Sequence, residues 1–208
     1  MRQQSGGGYE LRFAVNYLSG FLLTTLLLPL IRAAAPARIV NVSSAGQQAI
    51  DFDDVMLTHS YSGVRAYCQS KLAQVMFTFD LAEKLAGAGV TATCLHPATY
   101  MDTTMVRRAG VRPVSTVEQG AEAILNLAVS PALEGRTGLY FNGLREARAH
   151  SQAYDVEARQ RLRALSLKLT GLSNDPPAGA EPKRAPKGNL KISEPGLSAL
   201  PHMRFMVN

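Results

Sequence analysis

Apolar residues recur at helical steps through residues 9–31, where Leu11, Val15, Leu18, Leu22 and Leu26 fall three or four apart. That period predicts a helix with one apolar face. Residues 38–43, RIVNVS, are short, β-branched and bounded by a proline loop and by SSAG. They predict a buried strand. Residues 61–86 predict one long helix, closed by a glycine turn at 87–89. Residues 90–96 predict a second buried strand, stopped by Pro97. Val117, Ala121, Ile124, Leu125 and Leu127 predict a helix over 116–129, capped by Ser115 or Thr116 with Glu118. Residues 138–141 predict a third short strand. Val156, Leu162, Leu165 and Leu169 predict an amphipathic helix over 154–172. Stretches 47–60 and 98–115 carry no period and read as loops.

Helices alternating with short buried strands predict an α/β fold on a parallel sheet with right-handed crossovers. Residues 9–172 form that unit, with three strands. Residues 1–8 are polar and glycine-rich and read as a flexible leader; the spacing of Gly6, Gly7 and Gly8 is not GxGxxG. Residues 173–208 hold six of the eleven prolines and no periodicity, so they read as a disordered tail. A basic tail that docks on a partner is the alternative there.

Composition narrows the function. The chain has 208 residues, 46% hydrophobic, enough for one domain with a real core. The formal charge is +6, but Lys and Arg are spread along the chain rather than clustered with aromatics. Nucleic-acid binding is therefore not expected. Cys68 and Cys94 form no CxxC and no zinc spacing, and they suit a reducing, cytoplasmic setting. Asp51, Asp53 and Asp54 lack an EF-hand pattern, so no metal is expected. The most apolar run, 21–31, contains Thr24, Thr25 and Pro29. It reads as a buried helix too short to cross a bilayer, with no transmembrane segment.

The candidate chemistry sits on the long helix. Tyr67 and Lys71 lie four residues apart, on one helical face. A phenol is a poor acid or base at neutral pH unless a nearby cation favours its ionised form, and Lys71 is placed to be that cation. Two solvated side chains on an exposed face are the alternative. The neighbours bear on the choice. In parallel sheets, ligands sit beyond the carboxyl ends of the strands. Ser43 and Ser44 end one strand, His96 and Pro97 end the next, and Tyr67 starts the helix between them. Asn16 lies inside the first helix, where it either faces solvent or serves the site. His96 reads as a structural strand-end histidine. Cys68 adjoins Tyr67 but points about 100° away on the helix.

Asn16, NVSS ending at Ser44, and YCQSK from Tyr67 to Lys71 together resemble the short-chain dehydrogenase/reductase family, over roughly residues 9–172. FAVNYLSGFLLT, RIVNVSSAG, YCQSKLAQVMFTFDLA, LHPAT and EARQRLRALSLKLTGL resemble its retinol-dehydrogenase-like branch. The resemblance implies the C-terminal part of a Rossmann-type doubly wound sheet and an NAD- or NADP-dependent interconversion of a small-molecule alcohol and carbonyl. By position it makes Tyr67 the general acid/base. It makes Lys71 the residue that lowers the phenol's pKa and binds the nicotinamide ribose, Ser44 the donor to the substrate oxygen, and Asn16 the anchor of a relay water. Ser43 becomes structural. Tyr67 and Lys71 with Pro97, Thr99 and Thr103 become cofactor contacts. Ala98 stands where the family commonly has glycine, and Asp102 where it often has threonine.

The family's opening strand, TGxxxGxG turn and NNAG strand do not occur in these residues. At about thirty residues per βαβ step, the resemblance implies some sixty to ninety residues ahead of Asn16, which would carry most adenosine contacts. The expected reading is an oxidoreductase impaired by truncation. The alternative is a non-catalytic remnant acting as an interaction module. In either, the helices carrying Asn16 and Tyr67 resemble the pair through which family members dimerise, which implies a homo-oligomer. Membrane association through the leucine-rich first helix is a third reading.

Overall fold

The computed structural model describes residues 1–173 and the backbone of Arg204–Val207. Helix α1, Leu11–Ala33, is continuous but contains a π-helical stretch at Ala14–Leu18. The Glu10 carboxylate caps it, accepting from the Phe13 N–H at 2.7 Å. Strand β1 is Ala37–Val42. Helix α2, Gly63–Lys84, starts at Ser62, whose hydroxyl accepts from the Arg65 N–H. Strand β2 is Val90–His96, α3 is the short Thr104–Arg108, and α4 is Val117–Val129. Strands β3, Leu139–Asn142, and β4, Arg145–Ala147, follow. Helix α5, Val156–Thr170, is capped by the Asp155 carboxylate and ends at Gly171, whose φ of 68° suits a residue without Cβ. Strand β5 is Arg204–Val207.

The sheet order is β4-β3-β2-β1-β5. Strands β5, β1, β2 and β3 run parallel, and β4 turns back antiparallel on β3. Alternation along the strands divides the core between two faces. Ile39, Cys94 and Tyr140 face one side, with Phe13, Tyr17, Leu72, Met76 and Leu162 from α1, α2 and α5. Val40, Leu95 and Phe141 face the other, with Ala123 and Leu127 of α4. Burying these side chains contributes roughly 1.5–3 kcal/mol each, so β1 and β2 are held rigidly from both sides. Their carboxyl ends, at Ser43 and Pro97, are where a site can be built.

Several expectations change. The first helix is 23 residues long and mostly uncovered, with Val15, Leu23, Leu26 and Leu30 at 49–60% exposure. It is therefore not the short buried helix expected from 21–31. By length and composition alone it could cross a membrane. Its apolar side chains outnumber the neighbours available to cover them, because it packs mainly on α2. Residues 98–115 are not all loop, since Thr103 caps α3 there. Gln119, not Glu118, completes the capping box with Thr116. Residues 1–8 fold back: Gln4 bridges Glu10, and the Arg2 Nε donates to the Met56 carbonyl at 3.0 Å. The sheet gains β4 and β5 beyond the three expected strands. Within 173–208, Arg204–Val207 pair with β1 rather than lying free, and 174–203 fall outside the described residues.

Candidate active site

Two backbone-directed bonds fix the end of β1 to α2. The Ser43 hydroxyl donates to the Lys71 carbonyl at 2.7 Å, and the Lys71 ammonium donates to the Val42 carbonyl at 3.0 Å. Ser43 is thus structural, as expected. Ser44, the next residue, is turned toward the loop. Its Oγ accepts from the Gly46 N–H at 3.1 Å, so its own hydrogen remains available. Its carbonyl receives two donors, the Tyr140 hydroxyl at 3.1 Å and the Gln47 amide at 2.9 Å. Burial pushes the Tyr140 phenol up to about 12, which keeps it a donor.

Gly46 is where the site converges. A Cβ at Gly46 would stand 3.6 Å from Ser44 Oγ, 3.7 Å from Tyr67 Cε1 and 3.4 Å from Cys68 Sγ. The missing side chain leaves a notch with the serine hydroxyl on one wall and the tyrosine ring on another. Cys68 shares it. The Tyr67 and Cys68 side chains start about 100° apart on the helix, yet both border Gly46.

Lys71 lies behind the tyrosine, its Nζ 5.9 Å from the Tyr67 ring centroid. The ammonium also donates to the Gln74 side-chain oxygen at 2.9 Å. Burial draws its pKa down to about 8. Asn16 falls in the π-helical stretch of α1, a geometry that recurs at functional sites. Its amide donates to Ser70 Oγ at 3.0 Å, and Ser70 Oγ donates to the Tyr67 carbonyl at 2.7 Å. Asn16 thus reaches the Tyr67 backbone through one hydroxyl. Ser44 and Tyr67 thus meet at Gly46, Lys71 lies against the Tyr67 ring, and Asn16 is tied to the Tyr67 backbone.

The loop after β2 carries Pro97, Thr99 and Thr103. Pro97 is buried. Thr99 pairs its hydroxyl with His96 Nε2 at 3.0 Å, so His96 has a partner. Burial lowers the His96 pKa, which favours the neutral ring. Thr103 Oγ1 accepts from the Val106 N–H at 3.4 Å, capping α3. Asp102 holds Arg107 with two bonds, at 2.6 and 2.7 Å. The acidic loop is likewise neutralised by cations, with Asp51 on Arg65 at 3.0 Å. Among the described residues no group of His, Cys, Asp and Glu could hold a metal ion.

Gln47, Gln74 and Tyr140 escaped the sequence reading. Only Gln74 had a local signal, since it lies three residues beyond Lys71 on the same helical face.

A parallel sheet with a Tyr-Lys helix crossing from β1 to β2 and a serine at the strand end defines a Rossmann-type α/β protein. The short chain dehydrogenase family matches residues 5–112, and the chain belongs to that family. Retinol dehydrogenase 13 of Homo sapiens is 40% identical over 183 residues, covering 79% of this chain and 55% of that protein. Retinol dehydrogenase 12 of Homo sapiens is 36% identical over 180 residues, covering 81% of this chain and 57% of that protein. The chain thus spans little more than half the length of these relatives. A crystal structure of NADPH bound carbonyl reductase from chicken fatty liver shares the fold, with a TM-score of 0.51 and 22% identity over 72% of this chain and 60% of that one.

Proposed function

We propose that this chain carries the proton-transfer half of an NAD(P)-dependent oxidoreductase that interconverts an alcohol and a carbonyl. The observation behind the reading is the meeting of Ser44 Oγ and the Tyr67 ring at Gly46, with Lys71 bonded behind them. In reduction, Tyr67 gives its phenolic proton to the substrate oxygen. The free hydrogen of Ser44 meets the negative charge growing on that oxygen. Asn16 anchors a water from which Tyr67 is reprotonated. In oxidation the same groups work in reverse.

A nicotinamide cofactor, when bound, supplies or receives the hydride. The donor set suits its ribose and carboxamide: two of the three Lys71 N–H groups are committed, leaving one, and Thr99 and Thr103 carry hydroxyls beyond β2. Pro97 closes the strand end beside them. No TGxxxGxG turn occurs in the 208 residues, so weak cofactor binding by these residues alone is part of this reading. A fluorescence titration with NADPH or NADH is expected to show weak binding by the 208 residues; micromolar affinity would contradict this. In a chimera that carries a relative's glycine-rich half ahead of Met1, Tyr67→Phe is expected to lower turnover at least 100-fold and keep cofactor binding. Unchanged turnover would remove Tyr67 from the mechanism.

A second reading, an interaction module without catalysis, is favoured by the exposed Val15, Leu23, Leu26 and Leu30 on α1. In that reading a second copy covers the helices carrying Asn16 and Tyr67. A monomer in light scattering at micromolar concentration would exclude it. The two free cysteines accord with a cytoplasmic setting. Flotation of the chain with phospholipid vesicles would instead place α1 in a membrane.

A further inference from the structure

Lys71 is held by more than its strand. Its ammonium donates to the Val42 carbonyl at 3.0 Å and to the Gln74 side-chain oxygen at 2.9 Å. Gln74 is itself buried, at 8% exposure, one helical turn beyond Lys71. Its backbone carbonyl accepts from the Thr78 hydroxyl at 2.7 Å, and that hydroxyl accepts from the Asn41 amide at 2.8 Å. The glutamine thus stands on a column tied to β1.

We propose that Gln74 is a positioning residue for Lys71, fixing the direction of its remaining N–H and holding the ammonium in its charged form. The inference rests on the role given to Lys71 above. An ammonium on a flexible stem turns freely about its last bond and has no direction of its own. Two acceptors on separate supports, one on β1 and one on α2, stop that rotation. The third N–H then has a single orientation, available to a ligand hydroxyl. The acceptors also oppose the burial that favours the neutral amine. No carboxylate contributes, since burial is the dominant influence on Lys71 and its titratable neighbour is Tyr67. A neutral acceptor supports the charge without the tight pairing that a carboxylate would impose.

The test uses the 208-residue chain and reads Lys71 directly. Lysines are labelled biosynthetically with 13C, the Lys71 signal is assigned with Lys71→Arg, and its titration is followed at Cε by NMR. Gln74→Met keeps the length of the side chain and removes the acceptor. Gln74→Glu keeps the acceptor and adds charge. The Lys71 midpoint is expected to fall by about one unit in Gln74→Met and to rise by one or more in Gln74→Glu. A midpoint within 0.2 units of the parent in Gln74→Met, with the chain folded by circular dichroism, would overturn the proposal. Should Gln74→Met not fold, Gln74→Leu is read by the same criterion. A merely structural glutamine would change the melting temperature and leave the titration alone. In the chimera, Gln74→Met is expected to shift the acidity profile of turnover in the same direction as the NMR midpoint. The titration needs no turnover, so it can fail while Tyr67 retains its role, and Tyr67 can fail while the titration moves.

Discussion

The Ser43 hydroxyl donates to the carbonyl of Lys71 at 2.7 Å, joining the end of a central strand to the middle of the helix above it. Lys71 answers with a bond to Val42, the residue before Ser43. The reciprocal pair sets where Ser44 and Tyr67 stand, because each is anchored within one turn of it. Removing one partner is expected to loosen the site before it unfolds the domain. Ser43→Ala should cost about 1 kcal/mol in urea denaturation, the net worth of one buried hydrogen bond. An unchanged midpoint would show that the pair is incidental.

Lys71 also makes a pH-dependent contribution with a definite sign. Its folded pKa, about 8, lies below the ordinary 10.5 because of burial. Between those values the unfolded chain binds more protons, so stability rises with pH across that window. The penalty is fully present below pH 8 and is gone above 10.5; it corresponds to about 3 kcal/mol. Lys71→Met should therefore be more stable than the parent at pH 7, by an amount that shrinks toward pH 10.5. Parallel stability profiles for the two proteins would contradict the assignment.

The cysteines should separate by reactivity. Burial raises both thiols, Cys94 to about 12, and Cys94 is fully enclosed while Cys68 is half-exposed at the Gly46 notch. An aromatic disulfide reagent is expected to titrate one thiol in the folded chain, faster as pH rises above the ordinary thiol range. Cys68→Ser should abolish that reaction. Two equally reactive thiols would place Cys68 elsewhere.

The Ser44 carbonyl is shared by Tyr140 and Gln47. Tyr140→Phe leaves Gln47 in place and should cost about 1 kcal/mol. Gln47→Ala combined with it leaves the carbonyl without either donor, and the pair should cost more than the two single losses together. Simple additivity, measured by denaturant unfolding, would argue that the two bonds are independent.

Much of this was legible in the chain because it rests on local order. Tyr67 and Lys71 are one helical turn apart, and Ser44 follows a β-branched run, so period and strand ends alone locate them. The short β-branched run over residues 38–43 likewise announced a buried strand. Tertiary contacts were not legible. Tyr140 reaches the Ser44 carbonyl from β3, 96 residues away, and no local pattern marks such a bond. Cys68 reaches Gly46 only because a loop brings that glycine back over α2. The exposure of Leu23, Leu26 and Leu30 was also hidden, since a helical stripe says which side is apolar and not what covers it. The pairing of Arg204–Val207 with β1 joins ends far apart in sequence, beyond the range of any periodic signal.

The shared notch at Gly46 makes a claim about coupling. Ser44 and Tyr67 are held to act on one substrate oxygen, so their losses should not multiply. The direct measurement is kcat/KM for Ser44→Ala, Tyr67→Phe and the double variant in the chimera with a relative's glycine-rich half. The account expects the double variant to be no worse than about threefold below Tyr67→Phe alone. A double loss equal to the product of the two single losses would mean that they act separately, and the site described here would not be one site.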